Sequence, residues 1–98
     1  MPIPTNSTEV NVVGATVPFF KETIDGIDIY YFDTSATEPP VPMINAMAGL
    51  NLVTKTSKLI MINHKMPAKL LENLENTYKI TKETLTNGNA KVTFETKI

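Results

Sequence analysis

The chain contains no cysteine and no tryptophan. The first absence removes disulfides, thiolate metal sites and thiol nucleophiles in one step. It fits a reducing compartment, and a cytoplasmic location is expected. No run of apolar residues reaches the ~20 that a membrane helix needs, so no membrane association is expected. Neither sign of charge dominates. The net charge is -1, and the scattered lysines offer no basic field for nucleic acid. The opening MPIPTNSTEV lacks the charged and apolar regions of a secretory signal, so the sequon Asn6-Ser7-Thr8 reads as a chance match. What remains, 98 residues with 42% hydrophobic and 19% charged, is enough for one domain with a single modest core.

Proline, by contrast, is plentiful, and three of the 7 stand at Pro39, Pro40 and Pro42. The elements around them follow from periodicity. Residues 1–16 are rich in Pro, Thr, Asn and Ser, with a short apolar patch at Val10, Val12 and Val13, and read as a flexible arm with room for a frayed strand, leaving 17–98 as the domain. FFKETIDGIDIYYFDT carries two strand patterns about Asp25-Gly26, a pair suited to the positive φ angles of a tight hairpin. Ile27, Ile29 and Tyr31 share one face of the second strand, and Tyr30 and Phe32 the other. MINAMAGLNLV places Met43, Ala46, Met47, Leu50 and Val53 at helical spacing and predicts that this stripe is buried. Leu59–Ile62 is an unbroken apolar run, the pattern of a buried parallel strand. A short helix opening near Pro67 and buried through Leu70, Leu71 and Leu74 follows. The chain closes with a hairpin about Asn87-Gly88, whose last strand turns Ala90, Val92 and Phe94 inward.

The expected fold is therefore α+β: a two-layer α/β sandwich with a β-α-β-α-β-β core, an extra N-terminal strand and a mixed sheet of about five strands. The prolines are expected to hold Thr37, Glu38 and Pro39 extended and to let Pro40 or Pro42 open the first helix.

DTSATEPPVPM resembles the signature of the TusA/SirA-like sulfur-carrier family, in which an Asp and a short loop precede Cys-Pro-x-Pro at the start of the first helix. Asp33 matches the Asp, and Pro40, Val41 and Pro42 match Pro-x-Pro. LIMINHKMPAKLL is similar to the family's second strand and the Pro-Ala opening of its second helix, with one extra residue in the turn. The resemblance implies the same core fold. It also places Pro39 where the family keeps its sulfur-accepting Cys. Proline forms no persulfide, so sulfur transfer is not expected. The Glu-Pro-Pro-x-Pro form is similar to a Cys-less, uncharacterised branch found in bacteria and archaea.

The candidate binding residues are Asp33, Thr34, Ser35, Glu38, Pro39, Pro40, Pro42, His64 and Lys65. They belong to the ends of two strands expected to lie side by side, where ligands of parallel sheets gather. The leading expectation is a non-catalytic module that docks a partner protein or small anion. The alternative is a divalent metal or redox-linked site on Asp33, Glu38 and His64, although a single His is a thin ligand set. No nucleophile or cofactor motif accompanies His64 and Glu38, so catalysis is not the expected role. Met43, Met47, Met61 and Met66 are read as core packing, and Lys65 with Lys69 as a solvated pair. If the open sheet face carries Tyr30 and Phe32, it would serve a homodimer or other partner, unless the arm covers it.

Overall fold

The computed structural model describes Pro4 and residues 6–97. The part of the expected arm at residues 1–3 and 5 lies outside the described residues. The described strands are β1 (Thr8–Val10), β2 (Phe19–Ile24), β3 (Ile27–Asp33), β4 (Ser57–Asn63), β5 (Tyr78–Thr84) and β6 (Ala90–Thr96). Helix α1 (Val41–Leu50) joins β3 to β4, and α2 (Ala68–Leu74) joins β4 to β5. The strands form one mixed sheet in the order β1-β2-β3-β4-β6-β5. Only β3 and β4 pair in parallel; the other neighbours are antiparallel. No helix among the described residues is long and apolar enough to cross a membrane.

Local chemistry accounts for the hairpins. Asp25 and Gly26 take φ of 53° and 81°, the turn that carries β2 back onto β3 with Ile24 opposite Ile27. Gly88 takes φ of 88° in the β5–β6 connection. The strand alternation then sorts the sheet into two faces. One face carries Phe19, Phe32, Leu59, Met61, Val92 and Phe94, all buried beneath Ala46 and Leu50 of α1 and Leu70 and Leu71 of α2. Phe19 and Phe32 stack there with centroids 4.8 Å apart. Both helices thus cover the same face.

The other face holds Ile29, Tyr31, Ile60 and Ile62, with Phe20, Ile27 and Leu85 packed against them. The open face accordingly carries Ile29 and Tyr31, while Tyr30 and Phe32 lie on the helix side. Leu85, from the β5–β6 connection, lies on this open face; the apolar residues of the N-terminal segment, Val10, Val12, Ala15 and Val17, pack on the helix side. Tyr31 donates to Glu22 Oε1 at 3.1 Å, and burial, that hydrogen bond and the Glu22 charge push its phenol from 10.0 up to about 12.

Two details correct the sequence expectations. The N-terminal segment forms a sixth strand, because Thr8–Val10 pairs with Phe19–Lys21, and Val10 adds to the core margin. The buried side of α1 is Asn45, Ala46, Ala48, Gly49 and Leu50, whereas Met43 and Met47 are each 50% exposed. The reason is proximity. A Cβ on Gly49 would lie 2.9 Å from Leu59 and from the Phe19 ring. The helix lies so close to the sheet that small residues form the contact and the methionines are left outside. Asn45, fully buried, ties this helix to the N-terminal segment. Its Oδ1 accepts from the N–H groups of Thr16 (2.7 Å) and Val17 (3.2 Å), and its Nδ2 donates to Thr16 Oγ1 (2.8 Å) and Val41 O (2.9 Å).

Candidate functional site

Parallel pairing of β3 with β4 sets Asp33 opposite Ile62, so both strands end together. The two connections that leave this edge, residues 34–40 and 64–67, are locked to each other. Thr34 N–H donates to Ile62 O at 2.8 Å. Thr34 Oγ1 lies 3.1 Å from Ile62 O and 3.0 Å from Asn63 Oδ1, and its one proton is shared between them. Asn63 Nδ2 in turn donates to Lys65 O at 2.9 Å. Thr34 and Asn63 are both buried, so each lost bond would leave a desolvated polar group without a partner. This network fixes the positions of the two loops.

The first loop is internally bonded as well. Asp33 Oδ1 accepts from Ser35 N–H at 2.8 Å, and Thr37 Oγ1 donates to Thr34 O at 2.9 Å. Val41 N–H donates to Glu38 O at 3.0 Å and closes a turn over Pro39 and Pro40, whose peptide is cis. Pro39 therefore sits in a turn and not in an extended segment, because the Glu38 carbonyl is taken by Val41. Pro40 caps α1 and Pro42 falls in its first turn, where a missing N–H costs nothing.

Between the two loops lies a cleft of about 520 Å³. Pro39, Pro40, Pro42 and Met43 form one wall, and His64 to Leu70 the other; Met61 and Asn63 also line it. Of the residues singled out from sequence, the cleft gathers Pro39, Pro40, Pro42, His64 and Lys65. It leaves out Asp33, Thr34, Ser35 and Glu38. Thr34 is fully buried and serves the loop network, and Asp33 is occupied by the Ser35 turn. Glu38 and His64 are exposed. Among the described residues no three His, Asp or Glu side chains gather as a metal ion would require.

Met43, Met66, Lys69 and Asn63 belong to the site although sequence patterning assigned them no place in it. Met43 and Lys69 sit on different helices, and periodicity within one helix carries no signal of its neighbour. Prolines and methionines occur on both walls, Pro39, Pro40 and Pro42 with Met43 on one and Pro67 with Met66 on the other, so rigid and adaptable side chains alternate around the cleft. No Asp or Glu lines the cleft, whereas Lys65 and Lys69 do. No protein-family model, curated protein or solved structure matches the chain.

Proposed function

We propose that the protein is a non-catalytic binding module, and that the cleft between the proline loop and the start of α2 is its working surface. The observation that carries this reading is the cleft itself, with one wall prolines and the other held by the Thr34–Asn63–Lys65 bonds. A surface already ordered before contact loses little entropy on docking, so modest contact area suffices. Its volume falls within the range of roughly 300–1,000 Å³ usual for ligand sites. In this reading the chain is a Cys-less relative of the TusA/SirA-like carriers that keeps the loop and gives up sulfur relay. The succession β3-α1-β4-α2-β5-β6 supports that relationship.

The reading is tested by amide NMR of the labelled chain with two soluble probes, hexanoate and hexanamide. Shifts for either probe are expected to cluster at residues 38–43 and 63–70. Shifts scattered over the sheet, or none at millimolar probe, would overturn it. Zinc(II) is the control for a metal site: shifts centred on Asp33, Glu38 and His64 would replace docking by coordination.

A further inference from the structure

We propose that the occupant of the cleft is a small anion with an apolar body, an aliphatic or aromatic carboxylate. Its body would lie against Met43 and Met66, above the buried Met61, and its charged group would face Lys65 and Lys69. The inference rests on the binding reading above and adds the class of ligand.

Charge points to it first. The whole chain is slightly acidic, with 10 Asp and Glu against 9 Lys and Arg. The cleft reverses that balance, because it is lined by two lysines and by no carboxylate. Among the described residues the ion pair is Lys21 with Asp28, at 3.6 Å on β2 and β3, so neither cleft lysine is in contact with a carboxylate. Neither helix carries an acidic residue in its first turn. The only other ionisable group in the lining is His64, which brings no negative charge at any pH.

Apolar lining points to the second half of the ligand. Exposed lysines alone hold a bare anion weakly, because water solvates and screens both partners. Beside them lie Met61 at the floor, fully buried by its neighbours, and Met43, half exposed at the rim. Thioether side chains repack around irregular shapes, which suits a flexible aliphatic body. Lysine stems can lie along the same body while their ammonium groups meet the carboxylate. A ligand with only one of the two features leaves the other half of the cleft unused.

The probes are butanoate, hexanoate, octanoate and the neutral isostere hexanamide, titrated into the labelled chain at low salt and followed by amide shifts. Affinity is expected to rise about threefold per methylene from butanoate to octanoate, somewhat below full transfer to an apolar medium. Hexanoate should bind several-fold more tightly than hexanamide, and this advantage should shrink at 0.5 M salt. Lys65→Gln with Lys69→Gln should remove most of the advantage, weakening hexanoate far more than hexanamide, which loses only contact with the lysine stems. Met43→Glu, at a half-exposed position where folding is not at stake, should abolish hexanoate binding. Equal binding of hexanoate and hexanamide at the cleft would overturn the anion assignment and leave the binding reading standing. No shift at the cleft with any probe would remove both. Shifts of the same amides on simple dilution, without ligand, would give the cleft to a second copy of the chain and overturn the proposal.

Discussion

The two helices lie on the same sheet face, yet they present opposite surfaces to the outside. Helix α2 follows the ordinary amphipathic pattern: Leu70 and Leu71 are buried, and Lys69, Glu72 and Asn73 are exposed. Helix α1 carries no charged residue at all. It buries its small residues and exposes Met43, Ile44 and Met47 at 50%, 42% and 50%. Helix α2 thus holds the fold with leucines, while α1 holds with Leu50, Asn45 and small residues and keeps Met43, Ile44 and Met47 outside. Of the large apolar side chains exposed among the described residues, Met43, Ile44 and Met47 stand on α1, Val13 and Ile24 lie elsewhere, and Met43 borders the cleft. Scattered exposed apolar residues carry no message, but a contiguous group of them beside a cleft marks a contact surface.

The comparison can be broken hardest at the anchor of α2. Leu71→Ala removes a buried side chain from the shared core and should cost about 2–5 kcal/mol in urea unfolding. A loss under about 1 kcal/mol would mean that α2 is not the anchor described here.

On α1 the equivalent lesion is polar. Asn45→Leu removes the acceptor for the Thr16 and Val17 N–H groups, and should cost about 1–3 kcal/mol. Hydrogen exchange at Val17 should rise more than exchange in β4. Unchanged exchange at Val17 would show that Asn45 does not hold the segment.

A third test concerns the sheet face that neither helix covers. Tyr31 holds its proton to about pH 12 when folded, against 10.0 when free of those contacts. Between these values the unfolded chain has released a proton that the folded chain keeps. The contribution of Tyr31 to stability should therefore be level below about pH 10 and be lost as pH rises toward 12. Tyr31→Phe should remove this part of the decline, read by urea unfolding across the alkaline range. An unaltered slope in the variant would assign the decline to other groups.

The smallest effect is expected on the outer side of α1. Met47→Lys should change stability by no more than about 0.5 kcal/mol, because half of the side chain already meets solvent. A loss of several kcal/mol would mean that Met47 belongs to the core after all, and the contrast between the helices would collapse.

Much of the architecture can be read in the sequence because its causes are local. Asp25-Gly26 and Gly88 take the positive φ angles their hairpins require. Alternation along β6 turns Ala90, Val92 and Phe94 inward, and all three are buried. The orientation of α1 could not be read in the same way. In VPMINAMAGL nearly every residue is apolar or small, so several helical stripes are equally good by pattern. Gly49 stands where a Cβ would come within 2.9 Å of Leu59 and of the Phe19 ring, a contact that no pattern within the helix announces.

Strands β2 to β6, the two helices, the tight turns and the proline opening of α1 follow from the sequence itself, since each depends on φ preferences and periodicity over a few residues. Tertiary structure alone decided which side of α1 faces the sheet, that Thr8–Val10 joins the sheet edge, and that the cleft exists. The cleft brings residues 39–43 against residues 61–70. They meet because parallel β3 and β4 end at one edge and Thr34 and Asn63 bond the loops that leave it. Such a meeting depends on pairing between distant segments, and no local pattern in either segment encodes it.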